Sequence, residues 1–396
     1  MDINKKSVKD IDLQNKKVLM RVDFNVPLDE NSNITDATRI EKALPTIEYI
    51  LEQNASLILM SHMGRPKGEV KEELRLDPVA KKLGEYLKKE VKKVDDCIGA
   101  EVEKSARELK AGEVLLLENL RFHKEETKND EQFAKKLASL ADVYVNDAFG
   151  AAHRAHASVS AITKYLPSVA GLLMEKEIYF LSNLLKNPER PFIVILGGAK
   201  ISTKIGVINN LLERVDSMLI GGGMVFTFIK SKGIDIGKSL VEMEKEVEAF
   251  EILKKAHNDE KDLVLPVDVV VADDVNKNAK TKIVDINSIP DDMLGVDIGP
   301  KSVKLFLKKI QSAKTIFWNG PMGIFEIDKF AKGTIEVAKA VAANKGTTVI
   351  GGGDSVAAVK KFGLSDKITH ISTGGGASLE FMEGKSLPGL EGLEDK

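Results

Sequence analysis

The chain alternates between short runs of apolar, often β-branched residues and longer segments whose apolar positions return every three or four residues. In the first half the runs are "KVLMRV" 17–22, "SLILMS" 56–61, "VLLLE" 114–118 and "VYVN" 143–146. In the second they are "FIVIL" 192–196, "SMLIG" 217–221, "LVLPVDVVVA" 263–272, "TIFW" 315–318, "TTVIG" 347–351 and "ITHIST" 368–373. Most are apolar throughout rather than alternating, as strands buried on both faces are. Between them, "DPVAKKLGEYLKKE" 77–90 and "EQFAKKLASLA" 131–141 carry helical spacing. The alternation predicts an α/β fold with two Rossmann-like, doubly wound parallel sheets.

The break between the two falls at "GLLMEKEIYFLSNLLKNPERP" 171–191, apolar at helical spacing and stopped by two prolines. It reads as a connecting helix. The expected organisation is a first domain over 1–170, a linker helix and hinge over 171–189, and a second domain over 190–384. The terminal "GKSLPGLEGLEDK" is rich in Gly and Pro like a frayed tail, yet its three leucines predict packing. Pro45 sits inside the helical pattern 37–53 and predicts a kink or two pieces.

Composition narrows the class. A chain of 396 residues suits two domains of roughly 150–200 residues each. With 43% apolar and 30% charged residues it has the balance of a globular protein. A net charge of −2 argues against nucleic acid or an anionic membrane as a bulk partner. The single cysteine, Cys97, excludes a disulfide framework and a cysteine metal cluster, and reads as a passive thiol. The start "MDINKKSVKDIDLQNKKVLM" lacks a signal-peptide core, and no run approaches the ~18 apolar residues of a membrane span. A reducing cytoplasm and a monomer are expected.

Ligands of open parallel sheets bind beyond the carboxyl ends of the strands, so the residues that follow each strand carry the chemistry. In the second half they are glycines: "LGGAK" 196–200, "GGGM" 221–224, "NGPMG" 319–323, "GGGDS" 351–355 and "TGGGAS" 373–378. In the first half Arg, His, Asp and Asn follow: "RVDFN" 21–25, "SHMGRP" 61–66, "ENLRFH" 118–123 and "NDAFGAAHRAH" 146–156. Seven of nine arginines precede the linker helix. Arginine's planar fork grips carboxylate and phosphate bidentately, so the first half suits a compact polyanion. Glycine loops at helix starts suit backbone contact with phosphates in the second.

Individual residues leave alternatives open. Asp354 reads as the N-cap of a helix over 355–362 or as a Mg²⁺ contact beside phosphates. Asp23 and Asn25 are turn formers or ligands. The histidines of "HRAH" lack a third ligand at zinc spacing, and His123 reads as structural or solvated. Lys200 lies at the start of a predicted helix and Arg39 three residues after the expected N-cap Asp36. A cation there costs roughly 0.3–1 kcal/mol unless an anion binds. Lys204 falls one turn beyond Lys200 on the same face.

The strings "RVDFNVP", "SHMGRP", "LLENLRFH", "NDAFGAAHRAHAS", "ILGGAKISTKI", "IGGGMVFTF", "LPVDVVVAD", "TIFWNGPMGIFE", "GGGDSVAAV" and "ISTGGGASLEFMEGKSLPG" stand in the order found in phosphoglycerate kinases. The chain resembles that family along its whole length. It departs at Met63, where leucine is usual, at Ala151, where threonine is usual, and at Thr203, where aspartate is common; the last bears on how Lys204 is held.

The resemblance implies phosphoryl transfer between 1,3-bisphosphoglycerate and MgADP, giving 3-phosphoglycerate and MgATP. It assigns the phosphoglycerate to Asp23, Asn25, Arg39, His62, Arg65, Arg121 and Arg154. It assigns the nucleotide to Lys204, Gly295, Glu326 and the loop of Gly352, Gly353, Asp354 and Ser355, with Gly221, Gly222 and Gly223 against adenine and Asp354 reaching Mg²⁺. It also implies that the C-terminal tail, 385–396, returns to the first domain.

An accepting carboxylate, with a reference pKa of ~4, is already ionised at neutral pH and needs no general base. The remaining work is positioning and charge stabilisation, expected from Arg39, Lys200, Mg²⁺ and the amides around Gly352 and Gly375. Hinge closure would exclude water. Two other classes fit less well. A dinucleotide oxidoreductase requires a Gly-x-Gly-x-x-Gly turn that the chain lacks. An exported anion binder requires a signal peptide and leaves two chemistries unexplained.

Overall fold

The computed structural model describes residues 4–396. The chain divides into two units, Met1–Tyr179 together with Ser386–Lys396, and Phe180–Lys385. The divide falls within the helix Leu172–Lys186.

The first unit is built on six parallel strands: β1 (Lys17–Arg21), β2 (Ser56–Met60), β3 (Val91–Lys93), β4 (Val114–Leu116), β5 (Val143–Asn146) and β6 (Ser168–Ala170), in the order β3-β4-β2-β1-β5-β6. All five residues of β2 are buried, which is why its run is apolar at every position. Val18, Met20, Ile47, Leu57, Leu59, Val145 and Val169 share one core. The chain lays β2, β3 and β4 to one side of β1, then β5 and β6 to the other. The switch between β1 and β5 opens a crevice at their carboxyl ends.

The helix Thr38–Glu52 begins two residues after Asp36, with Ala37 at the N-cap. Asp36 still accepts from the Thr38 amide at 2.9 Å, so it supports the first turn from outside. Pro45 neither splits nor ends this helix. It sits on the exposed face, where the hydrogen bond it cannot donate falls on the solvent side.

Thr46, next along, is buried and donates to Asp147 Oδ2 at 2.6 Å. Thr46 Oγ1 and Asp147 Oδ1 then accept from the amides of Leu172 and Met174, both at 3.0 Å, capping the helix Leu172–Lys186. In the C-terminal segment Leu387, Leu390 and Leu393 are buried, the Glu394 carbonyl accepts from the Lys6 amide at 2.8 Å, and Gly389 N donates to the Ala152 carbonyl at 2.8 Å.

The second unit repeats the architecture with β7 (Phe192–Leu196), β8 (Ser217–Ile220), β9 (Asp262–Val264), β13 (Thr315–Asn319), β14 (Thr347–Gly351) and β15 (His370–Ile371), in the order β15-β14-β13-β7-β8-β9. Its switch lies between β7 and β13. Trp318, Ile195, Leu219, Phe306 and Ile350 centre the core.

The run 263–272, expected as one strand, breaks around Pro266. Its second part, β10 (Asp268–Ala272), leaves for a separate antiparallel sheet, β11-β10-β12, with β11 (Thr281–Asp285) and β12 (Leu294–Ile298). Among the described residues no helix is long and apolar enough to cross a membrane.

Candidate active site

At the carboxyl ends of β1, β2, β4 and β5, a cavity of about 200 Å³ is lined by Asp23, Asn25, Arg39, His62, Gly64, Arg65, Arg121, Gly150, Ala151 and Arg154. It contains all seven residues that the sequence motifs assign to phosphoglycerate. Arg39 donates to Asp23 Oδ1 at 2.8 Å, and Asn25 Oδ1 accepts from the Gly64 amide at 2.9 Å. Arg121 is buried and donates from Nη1 to the Gly64 carbonyl at 2.7 Å, while its buried Nε has no hydrogen-bond partner among the described residues.

Burial, with Arg21 and Arg154 nearby, pulls the Arg121 guanidinium down to about 10. Burial and the charges of Arg21, Arg121, Arg39 and Arg154 hold His62 well below the usual histidine value, so it is neutral. Four arginines against one aspartate repel one another until an anion enters, which turns the repulsion into binding energy.

The "HRAH" histidines do not form a helical pair, since the stretch lies beyond the short turn Phe149–Ala151. His156 is buried beside Glu126, and burial with three arginines pushes it down to about 3. His123 pairs with Asp96 at 2.7 Å. Burial lifts the Cys97 thiol well above its usual value, as a passive thiol requires.

In the second unit two cavities share Gly198, Ala199 and Asp354. The larger, about 500 Å³, is lined by Gly222, Gly223, Phe226, Leu240, Gly295, Pro321, Met322 and Glu326, among others. Gly221, expected with them, is not part of the lining; a Cβ there would meet Met322 Sδ at 2.4 Å. A Cβ on Gly295 would strike the Phe226 ring at 1.9 Å, so only glycine lets the ring wall the cavity. The smaller, about 370 Å³, gathers Lys200, Lys204, Asn319, Gly352, Gly353, Asp354, Ser355 and Gly375.

Three features of that cavity differ from sequence expectation. Gly352, at φ +89°, is the N-cap of the helix Gly353–Lys361, which moves Asp354 from the cap into the first turn. There Asp354 is exposed and is one of the residues that line both cavities. Lys200 and Lys204 do not share one helix face: a 3₁₀ turn, Ile201–Thr203, stands between them, and the α-helix Ile205–Leu212 begins only after Lys204. Thr203 closes that turn by donating from Oγ1 to the Lys200 carbonyl at 2.9 Å.

Lys204 is instead held by Asn319 Oδ1. Burial draws Lys204 down to about 8. Ser355 has its Oγ engaged by the Gly320 amide at 2.5 Å.

The motif reading missed Asn319 and Glu242. Asn319 ends β13, holds Lys204, and keeps a buried Nδ2 that has no partner among the described residues. Glu242 accepts from Ser202 N and Oγ, at 3.0 and 2.6 Å, and pins the 3₁₀ turn. The polar Asn at the end of an otherwise apolar strand was the one available signal. For Glu242, forty residues from its partner, there was none.

The phosphoglycerate kinase family model matches residues 8–385. The chain is 58% identical over 392 residues to a phosphoglycerate kinase of Moorella thermoacetica, covering 99% of this chain and 100% of that one. It is 56% identical over 399 residues to one of Clostridium botulinum, covering all of both. Among solved structures, the phosphoglycerate kinase of Coxiella burnetii aligns with a TM-score of 0.90 at 40% identity over 98% of each chain. That of Pyrococcus horikoshii aligns at 0.85 and 35% identity, also over 98% of each. A match over nearly the full length, on sequence and fold together, decides the matter: the chain belongs to the phosphoglycerate kinase family.

Proposed function

We propose that the arginine-lined cavity of the first unit holds the phosphoglycerate and that the two glycine-lined cavities of the second hold the nucleotide. As a member of its family the chain catalyses reversible phosphoryl transfer between 1,3-bisphosphoglycerate and ADP, giving 3-phosphoglycerate and ATP, a step of glycolysis. The observation that carries the division is the contrast in lining. One cavity presents four arginines and a neutral histidine. The others present glycine backbone and apolar side chains, with three lysines, three carboxylates and no arginine.

Arg39, Arg65, Arg121 and Arg154 take the phosphate and carboxylate of the glycerate, and Asp23 and Asn25 take its hydroxyl. Gly222, Gly223 and Gly295 border the base, and Glu326 the ribose. Lys204 with the Gly352–Ser355 loop grips the phosphates. Asp354 would hold Mg²⁺, which supplies charge neutralisation on the phosphates when bound.

The attacking carboxylate is ionised at neutral pH, so the residues have a phosphoryl group to place and its charge to stabilise, and no proton to remove. Lys200, exposed at the rim, and the amides near Gly352 and Gly375 aim at that charge. Direct transfer requires the two ligands to meet out of water, and the helix Leu172–Lys186 is the place for a hinge. The protein works as a cytoplasmic monomer.

Mixing the purified chain with 3-phosphoglycerate and MgATP should release ADP and an acyl phosphate trapped by hydroxylamine. Omission of Mg²⁺ should abolish both, and product formation without it would remove Asp354 from its role.

A further inference from the structure

Arg21 is not among the residues that line the arginine cavity, and it is fully buried. Its Nη2 lies 3.0 Å from His62 Nδ1. A guanidinium only donates, so His62 Nδ1 accepts and the ring proton sits on Nε2. Arg21 is held in turn from behind. Its Nε donates to Ser158 Oγ at 2.9 Å, and its Nη1 donates to the Val22 carbonyl. Ser158 Oγ donates to Glu126 Oε1 at 2.6 Å, and the Ser158 amide donates to Glu126 Oε2 at 2.9 Å. Tyr144 Oη fixes the Ser158 carbonyl at 2.8 Å.

Glu126, Ser158 and Arg21 are all 0% exposed. They form a buried chain of hydrogen bonds from carboxylate to hydroxyl to guanidinium to imidazole, drawn from four separate segments of the unit. A buried guanidinium balanced across a hydroxyl by a buried carboxylate is a costly arrangement, and breaking one member leaves the others unpaired.

We infer that Arg21 is a positioning residue: through the Glu126–Ser158–Arg21 chain it locks His62 as the neutral Nε2–H tautomer, so that the ring donates a hydrogen bond to the anion in the cavity. The charges facing the ring are Arg21, Arg121, Arg39 and Arg154, and all four oppose a second proton on it. A neutral donor adds a directed hydrogen bond to an already cationic pocket without adding repulsion. With the other tautomer, the acceptor nitrogen would meet the ligand's oxygen and repel it. The inference rests on the reading that this cavity takes the phosphoglycerate.

The test is two-bond ¹H–¹⁵N correlation NMR on histidine-labelled protein, with His62 assigned through His62→Gln. The wild type should show the Nε2–H pattern, unchanged from pH 8 to pH 5.5, with the signals moving when 3-phosphoglycerate is added. Arg21→Met should mix the tautomers and raise the KM for 3-phosphoglycerate about tenfold, leaving the KM for MgATP within twofold. Arg21→Lys, which keeps a donor, should recover part of the loss.

Should Arg21→Met fail to fold, His62→Gln and His62→Asn decide. Gln carries its amide near the Nε2 position and should bind 3-phosphoglycerate more tightly than Asn, whose amide falls near Nδ1. An Nδ1–H or doubly protonated ring in the wild type overturns the inference, as does Asn matching Gln. If 3-phosphoglycerate moves no His62 signal, the ligand assignment of the cavity falls, whatever the tautomer.

Discussion

Lys200 and Lys204 stand four residues apart yet meet different surroundings. Lys200 is exposed at the end of an extended residue, with Thr203 closing the turn behind it. Its proposed role is to meet a phosphoryl group in transit. Lys200→Ala should lower kcat by roughly 10²–10³-fold while MgATP binds within threefold of wild type, because the lost interaction belongs to the transition state. A normal kcat in single-turnover kinetics would end that role.

Lys204 is 7% exposed, and burial draws it down to about 8, below the ordinary lysine value. The charged form is therefore present below that pH and lost above it. ADP affinity should fall about tenfold between pH 7 and pH 9 as the charge disappears, and Lys204→Met should flatten the profile. An unchanged slope in the variant, measured by calorimetry, would place the titrating group elsewhere.

At the scale of elements, Pro45 marks the limit of local rules. Proline in a helix interior removes one hydrogen bond and crowds the preceding turn, hence the expected kink. Packing of Ile40, Ala43, Ile47 and Ile50 against the sheet keeps the helix continuous through Pro45 all the same. Pro45→Ala should raise the unfolding free energy by about 1–2 kcal/mol, the helix gain less the extra freedom of the unfolded chain. A lower midpoint in denaturant would show that Pro45 supports the helix.

The same tension decides which elements were legible. Central strands such as β2 and β7 are buried at all five positions and announce themselves. The strand β11, "TKIVD", is largely exposed and has no continuous apolar run to betray it. Pro266 marked the break between β9 and β10, yet the apolar run on either side masked it. The start of the helix at Gly353 turned on the positive φ of Gly352, a backbone property that a preference for Asp at caps does not capture.

For the whole molecule, what the sequence shows well is what lies at strand ends. Six of the seven residues that the resemblance assigns to phosphoglycerate follow strands of one sheet, and the fold brings those ends together; Arg39 comes instead from the first turn of the helix Thr38–Glu52. What it hides is the support beneath them. Arg21, Ser158 and Glu126 meet across separations of 137 and 32 residues, and nothing in a linear pattern pairs them. Asn319 meets Lys204 across 115.

Calorimetry on Arg65→Ala separates the two ligands proposed for the two units. Arg65 is exposed at its cavity, so its loss leaves the core untouched. The Kd for 3-phosphoglycerate should rise at least about tenfold, with the Kd for MgADP within twofold. Equal weakening of both ligands, or of MgADP alone, would contradict it.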